Sequence, residues 1–241
     1  MKRNIIILFL TLFVLSVFFI FIFLSYNQSV YYKDFGNPYS DLKFCFIAGV
    51  HGNEPAGNVA LIDLINSDFF EHIAQENDIF IRVIPSVNEF GLDFNMRYQN
   101  DFFQPDINRT FNENGSHHLS KDILRLTKNM TLVIDFHEGW GFHRIHKNSL
   151  GSSLTATGDR NTRELAELIV YRLNSFISED KYKFDVLDRI CDIKNTLSCN
   201  FHSNSQNYIL VETSGQNNIQ PIEVRKRQIF TIIDTIFKYF N

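Results

Sequence analysis

The chain has 241 residues, 44% apolar and 21% charged, which is ordinary globular usage and excludes wholesale disorder or a collagen-like repeat. The net charge is −4 and no long basic block occurs, which argues against nucleic-acid binding. Three cysteines are too few for a disulfide-stapled scaffold.

The first feature in chain order is an apolar run. Ile5 to Leu24 is twenty residues long, interrupted only by the hydroxyls of Thr11 and Ser16. About twenty helical residues span a hydrocarbon core of roughly 30 Å. The run predicts an N-terminal transmembrane helix, and no convincing small-x-small cleavage site follows it. Lys2 and Arg3 precede it, so the positive-inside rule keeps the N-terminus cytoplasmic and sends the remainder to the periplasm, exterior or lumen. Residues 1–25 thus read as an anchor or uncleaved signal, 26–40 as a linker, and 41–241 as one folded domain. Outside the cytoplasm, Cys191 and Cys199 are suitably spaced to close a small loop, with three free thiols as the alternative.

The folded part alternates short apolar runs with amphipathic stretches. Leu42–Val50 reads as a buried strand, and Pro55 suits the first turn of a helix over Ala56–Phe70. Asp78–Val87 is the next strand. Glu89–Asn114 has little regular pattern, and loops of that length are usually functional. Ser120–Met130 reads as a helix, Thr131–Phe136 as a strand, Thr162–Phe176 as a helix, Tyr208–Val211 as a short strand and Glu223–Phe240 as a final helix. Alternation of this kind predicts an α/β fold, with a mostly parallel or mixed central sheet flanked by helices.

Three of these strands end in side chains suited to metal binding or acid–base chemistry. Leu42–Val50 leads into His51 and Glu54, Thr131–Phe136 into His137 and Glu138, and Tyr208–Val211 into Glu212. Ligands of open parallel sheets bind at that carboxyl edge. Two histidines and one glutamate with an open fourth position form a catalytic zinc pattern. His143 and His146 lie close enough in sequence to His137 to compete as ligands. In the long segment, Arg97 and Arg109 offer planar forks suited to a carboxylate.

His51-Gly-Asn-Glu54-Pro-Ala-Gly, Asn88-x-x-Gly91, Arg97, Asp106-Ile-Asn108-Arg109-Thr-Phe111, Asp135-Phe-His137 and Val211-Glu212 together resemble the zinc carboxypeptidase superfamily. The resemblance runs from Leu42 to the end of the chain and is closest in style to the succinylglutamate desuccinylase/aspartoacylase branch. It implies one zinc ion held by His51, Glu54 and His137, with Glu212 as general base and Arg97 polarising the scissile carbonyl. It further implies that Asn108 and Arg109 hold a free substrate carboxylate. The expected activity is hydrolysis of an amide beside that carboxylate, in an N-acyl amino acid or alternatively at a peptide's carboxyl end or in a murein peptide. A non-catalytic, membrane-tethered binding protein is the expectation from a different class. Two features depart from the family. The part after the anchor is shorter than a pancreatic-type catalytic domain, and no second β-rich domain follows Glu212.

Overall fold

The computed structural model describes residues 2–26, 29–98 and 106–240, without the side chains of 2, 3 and 21–26. Among the described residues, seven strands form one sheet. They are β1 (Tyr31–Gly36), β2 (Lys43–Ala48), β3 (Phe80–Ser86), β4 (Leu132–Gly139), β5 (Ser153–Thr157), β6 (Asp185–Val186) and β7 (Tyr208–Ser214), in the spatial order β1-β3-β2-β4-β7-β5-β6. The central pairs β3–β2, β2–β4 and β4–β7 are parallel, whereas β1 on β3 and β5 on β7 are antiparallel. The sheet is therefore mixed with a parallel centre.

The central strands are buried on both faces, which explains their nearly continuous apolar sequences. Side chains alternate between the faces with a period of two. Phe44, Phe46, Ile81, Ile134, Phe136 and Ile209 pack into one core layer with residues of α2 (Pro55–Asn66), α6 (Arg160–Asn174) and α8 (Ile222–Phe240). Cys45, Ile47, Ile84, Val133 and Tyr208 pack into the other with α5 (His118–Leu126) and α7 (Leu197–Ser203). Cys45 is a free, fully buried thiol whose pKa burial pushes up, which makes it an inert core residue.

Several boundaries differ from the sequence expectation. The segment 26–40, read as a linker, contains β1, an edge strand of the sheet. No alternation is visible because five of its six residues, all but Phe35, are exposed. The single helix expected over 56–70 is two, because Asp68 takes a left-handed conformation (φ 56°) between α2 and α3 (Phe69–Asn77). Asp tolerates that region better than most residues. The long segment after Val87 contains α4 (Glu89–Phe94), capped by the Asn88 side chain accepting from the Gly91 amide, and a 3-10 turn over Ile107–Arg109. Residues 99–105 of that segment lie outside the described part.

At the N-terminus, Lys2–Tyr26 forms α1. Its side chains from Asn4 to Ile20 are exposed. Among the described residues, no helix is long and apolar enough to cross a membrane.

Candidate metal centre and active site

The parallel centre brings the candidate residues to one edge. His51 and Glu54 occupy the turn between β2 and α2. His137 lies near the end of β4, in direct register with Glu212 on β7. Sequence positions 75 residues apart thus become neighbours across one strand gap.

His51, Glu54 and His137 form a buried cluster whose ligand atoms all lie within 4.8 Å of one another. The two Nδ1 atoms face each other at 3.1 Å, and Glu54 reaches His51 Nδ1 at 2.9 Å and His137 Nδ1 at 2.8 Å. Tetrahedral zinc with bonds of roughly 2.0–2.1 Å holds its donors about 3.3 Å apart. The triangle is close to that size. The far nitrogen of each ring meets a carboxylate: His51 Nε2 lies 3.0 Å from Asp106 Oδ1, and His137 Nε2 lies 3.2 Å from Asp135 Oδ2. Such partners place the proton on Nε2 and turn the Nδ1 lone pair towards a metal. Tyr208 donates to the same Asp135 oxygen at 2.9 Å, so its hydroxyl orients the carboxylate behind His137 and takes no part in the cavity.

The electrostatics point the same way. Burial works against a charge on His137, but Asp135 and Glu54 outweigh it and raise its pKa well above the ordinary value. His51 is raised against burial by Glu54 and Asp106. Burial would raise Glu54, yet the two imidazoles hold it well below the usual carboxylate range. Positive charge is therefore favoured between the two rings. A dication bound there would supply that charge and would compete with protons for the rings. The donor set, its dimensions and its charge all fit zinc.

Arg97 donates from Nη1 to Glu54 and from Nη2 to Asp106, both at 3.1 Å, so it braces a ligand and a ligand's partner together. Asn108 lines the same cavity, but its side-chain oxygen accepts from the Leu197 amide at 2.9 Å, which leaves its Nδ2 for a ligand. Arg109 also lines the cavity and donates to the Asn108 carbonyl at 2.7 Å. Glu212 completes the floor, and burial pushes its carboxyl up to about 8, with the His137 charge opposing.

The two competing histidines are elsewhere engaged. His143 Nδ1 meets the Ser149 carbonyl at 2.8 Å, and the His146 ring packs on Trp140. Sequence reading missed Gln216, whose Nε2 lies 2.9 Å from Glu54 Oε1 and 2.7 Å from the Glu138 carbonyl. It also missed the wall. Cys191 and Cys199 are disulfide-bonded, and the loop they close places Asp192, Ile193, Thr196 and Ser198 along the cavity. The Asn195 carbonyl accepts from the Phe111 amide at 2.9 Å, which docks that loop on the Asp106–Phe111 motif. The cavity measures about 440 Å³, and Trp140, Leu150, Ile190 and Leu210 add apolar surface.

The fold is zinc carboxypeptidase-like. No protein-family model and no curated protein matches the chain. Solved structures do. The cell shape determinant Csd4 of Helicobacter pylori aligns with a TM-score of 0.70 at 16% identity, over 87% of this chain and 54% of that one. The chain thus spans about half of Csd4. A protein of Shewanella amazonensis SB2B assigned to the metallopeptidases aligns at 0.64 and 16% identity, over 92% and 91% of the two chains. Bovine thrombin-activatable fibrinolysis inhibitor aligns at 0.65 and 11% identity, over 88% and 86%. At these identities the likeness establishes the shared fold.

Proposed function

We propose that the protein is a zinc-dependent hydrolase cleaving an amide bond beside a free carboxylate, with the carboxyl end of a peptide as the favoured substrate. The observation that carries this reading is the convergence of the His51 and His137 Nδ1 atoms on Glu54, with Glu212 in register beside His137. Zinc held there would supply a Lewis acid that polarises a carbonyl and lowers the pKa of water. Glu212 takes a proton from the attacking water and returns it to the leaving amine, a role suited to a carboxyl raised towards neutrality. Arg109 and the Asn108 amide hold the substrate carboxylate, and Arg97 steadies the oxygen that gains charge.

The peptide reading is supported over the acyl amino acid by the roomy, partly apolar wall that includes Trp140, Ile190 and Ile193. Csd4, described as a D,L-carboxypeptidase, has been seen with tripeptide and with mDAP bound. A screen of carboxyl-terminal peptides, murein-type peptides and N-acyl amino acids, each with and without chelator, tests the assignment. Chelator-sensitive release of a carboxyl-terminal residue is expected. Faster release of an acyl group from N-succinyl or N-acetyl amino acids would instead select the deacylase reading, and zinc binding with no turnover would select the binding-protein reading.

We further propose that the apolar run Ile5–Leu24 anchors the chain in a membrane, with the hydrolase domain outside the cytoplasm. This reading rests on the sequence, where the twenty-residue apolar run Ile5–Leu24 follows Lys2 and Arg3. Tyr31, at the start of β1, pairs with Ser86 at the carboxyl end of β3, the sheet edge that also carries the site. Release of the chain by alkaline carbonate, or a carboxyl-terminal tag protected inside intact cells, would contradict this topology.

A further inference from the structure

Glu138 and Arg225 form a fully buried ion pair behind the metal centre, each side chain 1% exposed. Such a pair is expensive to bury, and well-packed apolar residues of similar volume often serve stability equally well. This one is also imperfect, because among the described residues Arg225 Nε has no hydrogen-bond partner and neither has Gln228 Oε1, one turn further along α8. Stability alone is a poor reason for it.

The position of Glu54 supplies a better one. Glu54 is the N-cap residue of α2, and an N-cap side chain ordinarily accepts from an amide in the first turn of its own helix. Glu54 makes no such bond, because its carboxylate is turned to the two imidazoles. The Ala56 amide, second in the helix, instead donates to Glu138 Oε1 at 2.6 Å. The exchange is reciprocal, since the Glu138 amide donates to Glu54 Oε2 at 3.1 Å. The other Glu138 oxygen meets Arg225, whose Nη2 also reaches Asn218 Oδ1 at 3.4 Å. Space confirms how closely the carboxylate is held: a Cβ on Gly215 would collide with both Glu138 and Arg225.

We propose that Glu138, fixed by Arg225, caps α2 from the neighbouring strand and thereby frees Glu54 to act as a metal ligand. Both are positioning residues. The proposal rests on the assignment of His51, Glu54 and His137 as the zinc site.

The test measures zinc affinity of the full chain in detergent by competition with a chromophoric chelator, alongside thermal unfolding of the metal-free protein. Two double variants replace the ion pair without stranding a charge. Glu138→Gln with Arg225→Met keeps an acceptor for Ala56, and zinc affinity should stay within about threefold of wild type. Glu138→Leu with Arg225→Met removes the acceptor, and affinity should fall by roughly 10–100-fold, the usual effect of losing support behind a metal ligand. Metal-free melting temperatures of the two variants should be similar, which a purely structural role cannot combine with a split in affinity. Equal affinities in the two variants overturn the proposal. If the leucine variant does not fold, Glu138→Asp replaces it, since it keeps the charge against Arg225 but withdraws the cap by one methylene. Weakened zinc binding then supports the cap, and wild-type binding overturns it. A wild-type chain that binds no zinc would sink the metal-site assignment itself.

Discussion

Replacing Glu212 by Gln separates the chemistry of this site from its stability. In the metal-free protein the Glu212 carboxyl is raised from 4.5 to about 8, chiefly by burial, with His137 opposing and Glu54 adding to the rise. A carboxyl raised on folding binds more protons folded than unfolded. It therefore leaves stability untouched below pH 4.5 and removes it progressively as pH climbs to 8. Each pH unit in that window costs up to ~1.4 kcal/mol. Glu212 is partly open to the cavity, so solvent screens part of this and leaves a total cost of ~2–3 kcal/mol at pH 9. Glu212→Gln is neutral at every pH and escapes the cost. In chelator, its thermal stability should match wild type at pH 4–5 and exceed it by that amount at pH 9. Zinc beside the carboxylate should flatten the wild-type slope. Turnover of the best substrate should nevertheless drop by about 10²–10⁴. Identical metal-free stability of wild type and variant at pH 9 would refute the burial argument, and undiminished turnover would remove Glu212 from the base role.

The remaining expectations concern the metal and the wall. One zinc per chain is expected by metal analysis, and His51→Ala or His137→Ala should abolish tight binding; full occupancy in both would move the site elsewhere. Asp135→Asn should weaken zinc binding by roughly 10–100-fold in chelator competition, because the His137 ring loses the carboxylate that orients it. Arg109→Lys keeps the charge but loses the fork, so KM should rise while zinc affinity holds. Cys191→Ser with Cys199→Ser opens a loop of eight residues' separation and should cost about 2.5 kcal/mol in unfolding measurements, with KM rising as the cavity wall loosens.

The local chemistry of the site was written in the sequence. His51-Gly-Asn-Glu54 before Pro55 announces a strand running into a helix, because proline suits the first helical turn. His137 and Glu212 each follow a run of apolar residues that reads as a buried strand. Strand ends, donor types and their order were legible because each depends on a few adjacent residues. What lay beyond the sequence depends on which segments meet. The register of β4 and β7 sets Glu212 beside His137. Asp106 and Asp135 became the histidines' partners only through packing, and Tyr208 found its acceptor across the same strand pair. The short strands β5 and β6 and the helix α7 carry too few periodic residues to be read locally, yet β5 and β6 extend the sheet beyond β7, and the first turn of α7 supplies Ser198 and Cys199 to the disulfide-closed wall. Even Glu138, adjacent to a ligand, gave no local sign of whether it was buried. Its partners Ala56 and Arg225 lie 82 and 87 residues away, and only the fold brings them to it.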